Sequence, residues 1–205
     1  VAQVDINNAD ANLVGIGLAR HLYTGAIDTS FQGTGKRVKD AALTAVVDAC
    51  VDPNGRIVVA GMTPGANGSA GNKDLALVRF NADGSDDLTF AGDGGVAFSR
   101  GDDAVDHDEA IRDVDCLANG NLLIAGWYDD GDARFGFVAE MPADGTPQSL
   151  RSYNFGASNG GTAAFISAAE IDSGIVATAF LTGTSAHGKV FFLSPGPSNY
   201  VATAS

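Results

Sequence analysis

The sequence predicts an all-β protein, a β-propeller-like array of four-stranded antiparallel repeat units. Two observations predict it. Short runs apolar at every position recur between turn residues, and an aromatic-rich run follows each at a similar distance. The best copies are GRIVVAG at 55–61 with DLALVRF at 74–80, and GNLLIAG at 120–126 with RFGFVAEM at 134–141. A worn copy, GIVATAF at 174–180 with KVFFLSP at 189–195, follows, and a truncated one, VAQVDI at 1–6 with GIGLARHL at 15–22, opens the chain. The second observation is the period. Matching residues lie 59 (Phe31 to Phe90), 61 (Gly84 to Gly145) and 65 (Gly61 to Gly126) positions apart. A period of this size with elastic loops marks repeated structural units.

Each full unit reads as four strands. The first is LTAVVDACVD at 43–52, matched by EAIRDVDCLA at 109–118 and AAFISAAEID at 163–172. A tight turn follows, around Asn54-Gly55 and Asn119-Gly120, where Asn-Gly supplies the positive φ angles of a two-residue hairpin. In the second strand Ile57 and Val59 point one way, Val58 and Ala60 the other. A strand apolar on both faces is covered on both, as when sheets stack. The third strand ends in a polar turn, NADGS at 81–85 or PADGT at 142–146, and the fourth is a short edge strand at 35–39, 94–98, 152–156 and 199–205. No window shows the 3.6-residue period and caps of a long helix. The expectation is one repeat domain over 1–205, with approximate units 1–39 (partial), 40–98, 105–156 and 163–205. Stacked units that cannot bury both faces alone suit a propeller. A β-sandwich is the alternative, disfavoured by the period and by the hairpin-only connections.

Composition narrows the partners. The 205 residues carry 25 acids and 12 bases, a net charge of −13, and are 45% apolar. Such a surface repels phosphate backbones and anionic lipid, which argues against nucleic acid and membrane surfaces. No apolar stretch approaches the roughly 20 residues of a membrane span. Few Lys and abundant Gly, Ala, Asp and Thr suit a secreted or periplasmic bacterial protein, and no basic n-region opens the chain. Cys50 and Cys116 fall in corresponding first strands. An oxidising compartment would let them pair. Packing as two small buried hydrophobes is the simpler reading, and their spacing fits no metal or redox motif.

The stretch 28–96 resembles the delta-60 repeat, a bacterial extracellular repeat. The matching residues are Asp28, Thr29, Phe31, Gly33, Gly35 and Lys36; Gly55, Ile57, Val59, Ala60 and Gly61; and Asp74, Ala76, Leu77, Arg79, Asn81, Asp83, Gly84 and Ser85. Asp87, Phe90, Gly92, Asp93 and Gly94 begin the pattern again, although that copy has Glu140 where the Arg should stand. The resemblance covers about 13–146 and implies a propeller-like array. It brings no catalytic motif.

Side chains able to carry chemistry have simpler roles in most cases. Asp83 and Asp93 belong to the repeat and read as turn formers. Asp102, Asp103, Asp106, Asp108 and Glu109, with His107, crowd eight residues. Carboxylates at that density can wrap Ca²⁺, the one cofactor considered, but the order is not that of an EF-hand loop, and a solvated charged loop is the plainer reading. Asp129, Asp130 and Asp132 form a second acidic hairpin. His21, His107 and His187 share no metal spacing. GTGKR at 33–37 lacks the first Gly and the Ser/Thr of a phosphate loop, and Ser69 lacks the first Gly of a nucleophile elbow. Asn67-Gly68-Ser69 fits a glycosylation acceptor, relevant only in a eukaryote. Trp127 and Tyr128 follow the second strand of their unit, placed to stack on a sugar or partner or to pack on the adjacent unit.

Without a nucleophile–base pair, metal motif or cofactor fingerprint, a non-enzymatic extracellular or periplasmic binding or scaffold module is the leading expectation. The alternatives are a hydrolase or lyase with a site assembled from acidic loops of several repeats, and a processed subunit of a larger complex. Strand counting adds one expectation. The opening unit has no first strand, so another polypeptide should complete that blade: a cleaved upstream segment, a partner subunit or a second copy.

Overall fold

The computed structural model describes residues 1–5, 14–65, 72–99, 108–129, 133–147, 151–156, 162–172, 174–181, 187–195 and 200–203. All their named elements are strands, in four antiparallel sheets. Sheet one is β1 (Ala2–Asp5), β2 (Val14–Ala19) and β3 (Lys36–Leu43), in that order. Sheet two runs β4 (Ala45–Val51), β5 (Ile57–Pro64), β6 (Lys73–Phe80) and β7 (Gly95–Phe98). Sheet three is β8 (Glu109–Cys116), β9 (Leu122–Asp129), β10 (Arg134–Met141) and β11 (Arg151–Gly156). Sheet four is β12 (Ala163–Ile171), β13 (Gly174–Leu181), β14 (His187–Pro195) and β15 (Tyr200–Thr203). The all-β, propeller-like array expected from the repeats is the architecture observed.

The double apolar pattern finds its partners. Val58 and Ala60 of β5 and Leu75 and Leu77 of β6 form one core with Ile111, Ile124 and Phe137 of sheet three. From the opposite face of sheet two, Val59, Ala76 and Val78 pack with Ile16 and Leu18 of sheet one. Sheet three repeats the alternation: Leu123, Ala125 and Val138 meet Phe165, Ile175 and Ala177 of sheet four. Each period-two strand therefore serves two cores, which is why neither face of the runs at 57–60 and 122–125 carries a charge.

Two local expectations change. The 52–56 turn is not a two-residue hairpin with two positive φ angles. Only Gly55 is left-handed (φ 77°), and the Asp52 and Gly55 amides donate to the carbonyls of Arg56 and Asp52. This is a type I turn closed by a glycine bulge, as Pro53 requires, since its ring forbids positive φ. Gly120 (φ 87°) ends a turn of the same hydrogen-bond pattern. Strand β3 also runs on to Leu43, beyond the predicted 35–39, because Leu43 is itself buried in the core between sheets one and two.

The signature residues of the repeat make latches from sheet one to sheet two and from sheet two to sheet three. Arg79, at the end of β6 and 2% exposed, donates from Nε to Asp87 (2.7 Å). Its Nη1 donates to the carbonyl of Ala143 in sheet three's turn, and its guanidinium lies 4.4 Å from the centre of the Phe90 ring. The Ala91 amide donates to Asp144 O (2.7 Å) from a left-handed residue (φ 52°). Phe90 is fully buried beneath Gly145, where an added Cβ would lie 2.7 Å from the ring. The first latch has the same parts. Arg20 donates to Asp28 (2.8 Å) and Ala82 O (2.6 Å), Gln32 (φ 50°) donates to Asp83 O, and Phe31 lies under Gly84. Glu140 replaces the Arg in sheet three and accepts from Asn121 Nδ2 (2.7 Å) within its own sheet.

Two predictions follow from this packing. Val59→Asp and Ile124→Asp each bury an unpaired charge at a fully buried position. The cost, several kcal/mol, rivals the stability of a domain, so both proteins should be insoluble or unfolded by circular dichroism. Soluble variants with unchanged melting would show that these strands are not central. In the latch, Phe90→Ala should cost about 3–5 kcal/mol in denaturant unfolding. Gly145→Ala should also destabilise, through the ring contact and the positive φ. In the double variant the ring clash is gone, so the two losses should sum to less than their separate values. Full additivity would deny the contact its role.

Candidate functional site on the first-strand edge

The first strands of sheets two, three and four stand side by side along one edge of the stack, and each carries a bulge at the same place. Register shifts fall between Val46 and Asp48, Ile111 and Asp113, and Phe165 and Ser167. A classic bulge turns the following side chain aside from the ladder. Here it aims Asp48 and Asp113 at the next sheet. Asp48 Oδ2 accepts the Val114 amide (3.0 Å), and Asp113 Oδ2 accepts the Ala168 amide (2.8 Å) and the Ser167 hydroxyl (3.0 Å).

The two acids are neighbours. Burial pushes the Asp113 carboxyl above its ordinary value of 3.8, and Asp48 adds to this by a carboxyl–carboxyl hydrogen bond and by repulsion. The Ala168 amide and Ser167 hydroxyl pull the other way without cancelling the rise. A carboxyl whose pKa is raised beside a second acid is the arrangement from which proton donors are built.

Asp48 also lines a cavity of about 640 Å³ between sheets one and two. Leu18, Phe31, Val46 and Ile57 give it apolar walls, while Arg20 and Asp48 are its charged members. Val1 and Val51, also on its wall, are 57% and 63% exposed.

Further along the same pair of first strands, Cys50 and Cys116 form a disulfide between β4 and β8, across 66 residues of chain, with Cα atoms 5.6 Å apart. The reading of two unlinked buried thiols does not hold. The bulged first strands of adjacent units lie side by side, a closeness that spacing along one chain does not reveal.

Of the residues proposed for Ca²⁺, Asp102, Asp103 and Asp106 lie outside the described residues. Glu109 is 1% exposed and accepts the Ser99 hydroxyl (2.6 Å), and the Asp108 carbonyl accepts the Asp129 amide. No group of three or more His, Cys, Asp or Glu able to hold a metal occurs among the described residues. Trp127 is 6% exposed, with the Arg134 guanidinium 3.5 Å from its ring centre. Arg134 is held by both oxygens of Asp129 (2.9 and 3.0 Å). Tyr128 stacks on Phe135 at 5.5 Å. Asp83 is a turn former, as expected: its carboxylate accepts the Ser85 hydroxyl and amide, which hold its pKa below the usual value. The Asp48–Asp113 pair was missed. Its only sequence signal is an Asp at the same place in two first strands.

The pair sets an opposite pH dependence from the turn acids. Asp83 and Asp144 are lowered, so their contribution is complete above the usual carboxylate range and is lost as pH falls through the lowered values. Asp113 is raised, so ionising it subtracts stability as pH climbs from the ordinary value toward and past the raised one, and the penalty is absent in acid. Asp113→Asn should therefore melt higher than the parent at about pH 7, and the advantage should vanish by about pH 3. Thermal melts across that range decide it. A lower melting temperature at neutral pH would mean that the carboxylate's bond to the Ala168 amide outweighs the repulsion.

Among curated proteins none matches the chain. A family model described as a β-propeller domain of unknown function, DUF5122, matches residues 53–90. The match spans β5, β6 and the turn that ends at Phe90, the segment that builds the latch to sheet three. In that segment the chain is similar to a β-propeller repeat family.

Proposed function

We propose that the protein is a non-enzymatic binding or scaffold module built from propeller-like repeats and working in an extracellular or periplasmic compartment. One observation carries the reading: the described acids and arginines of the repeat are engaged in holding the array together. Arg20 and Arg79 bridge to the next sheet's turn, Asp48 and Asp113 accept the next sheet's amides, and Asp83 and Asp144 cap their own turns. The disulfide supports the compartment, because such bonds persist where the surroundings oxidise.

The second reading is a hydrolase or lyase that draws carboxylates from several repeats. The raised carboxyl of Asp113 beside Asp48, which lines a cavity, favours it.

Both readings predict measurable outcomes. Under the first, the purified protein shows no turnover above blank on glycan and ester panels, and non-reducing alkylation of material from its source labels no thiol. Turnover that Asp48→Asn and Asp113→Asn both abolish would establish the second. Free thiols in native material would remove the support for the compartment.

A further inference from the structure

The joints between sheets are not built alike. An arginine latch closes sheet one on sheet two, through Arg20, and sheet two on sheet three, through Arg79. In sheet three the corresponding residue is Glu140, which accepts from Asn121 of its own sheet. The cores differ too. Among the described residues, alanine supplies four of the ten buried members between sheets three and four, against two of the thirteen between sheets two and three. The joint to sheet four therefore removes less apolar surface from water.

The first strands carry a third difference. Cys50 lies two residues beyond Asp48, and Cys116 two residues beyond Val114, whose amide Asp48 accepts. On β8 and β12 the same step leads from Asp113 and Ala168 to Asp115 and Glu170. Register puts both acids on the faces that meet. Asp115 stands opposite Leu123 and Glu170 opposite Ile175, and both apolar partners are buried in the core between sheets three and four. Glu170 is exposed and Asp115 half-buried, so the two carboxylates flank the rim of the joint. Where sheets two and three carry a covalent bond, sheets three and four carry two like charges.

We propose that the joint between sheets three and four is a hinge loosened by charge, at which sheet four opens as one unit while sheets one to three stay closed. The tie at this margin is Asp113, which accepts the Ser167 hydroxyl and the Ala168 amide. Two like charges at a rim cost little by themselves. They act where neither the latch arginine nor the disulfide reinforces the contact, and an array of repeats opens first at its weakest interface. A lone sheet has no core to hold it, so an opened sheet four loses the protection of its amides. The hinge requires neither a partner nor a substrate.

Hydrogen exchange of the intact, oxidised protein at neutral pH and low salt, read by mass spectrometry, tests it. Amides of β13 and β14 should exchange together, at least about tenfold faster than those of β5 and β9. About 1 M NaCl, where the screening length is roughly 3 Å, should slow β13 at least about threefold and leave β5 unchanged. Asp115→Asn combined with Glu170→Gln should have the same effect at low salt. Asp115→Cys combined with Glu170→Cys should form a second disulfide under mild oxidant and bring β13 to the rate of β9. Equal exchange of β13 and β5 in the parent would overturn the hinge, and exchange of β13 indifferent to salt would overturn its control by charge. Thiols that stay free under oxidant, in a variant with the parent's circular dichroism, would overturn the placement of Asp115 against Glu170. The salt comparison needs no variant and decides the proposal even if neither variant folds.

Discussion

A four-stranded sheet that is apolar on both faces must be covered on both, and the rest of this structure depends on that constraint. Val58 and Val59 are adjacent in the chain yet belong to different cores, one shared with sheet three and one with sheet one. Sheet two has no core of its own; its burial exists only between its neighbours. Stability is then a sum of interfaces, as in other repeat arrays, and an interior sheet cannot be altered without touching two of them.

Apolar faces alone do not fix how sheets are aligned. The latches do. A guanidinium that must reach Asp87 in its own sheet, the Ala143 carbonyl in the next and the face of Phe90 admits one relative placement of the two sheets. Burying Arg79 would be costly alone. Asp87 offsets that cost: burial pushes its carboxyl up, but the Thr89 hydroxyl and amide and Arg79 bring it below the ordinary value, so the pair is charged. Phe90 needs a glycine above it, and Gly145 meets the need twice, with no Cβ to strike the ring and a φ of 82° that closes its turn. The spacing of about sixty residues between these parts is the length of chain needed to build one sheet and return to the same margin.

Much of this was legible in the sequence. Unbroken apolar runs at 57–60 and 122–125 marked the strands and both buried faces, because period-two geometry puts successive apolar residues on opposite faces. Asp28, Phe31, Arg79 and Gly84 were recognisable as a pattern, but not as a latch. Their partners lie about sixty residues away, and nothing local states which turn a given Arg reaches. The pairing of Cys50 with Cys116 and the approach of Asp48 to Asp113 were hidden for the same reason. Both are contacts between neighbouring first strands of different units, aligned by the bulges. A bulge has no dependable sequence mark when the extra residues are as unlike as Val47, Arg112 and Ile166.

The row Asp48, Asp113, Ser167 shows how far such a device extends. Each acid gains by accepting an amide from the next sheet, and each loses by standing beside another acid. Two neighbours reach a compromise, in which Asp113 is held above its ordinary pKa and shares a hydrogen bond with Asp48. A third carboxylate in the row would face Asp113, and repulsion would grow while the amide bond stayed the same. Ser167 avoids this: its hydroxyl donates to Asp113 at 3.0 Å and adds no charge.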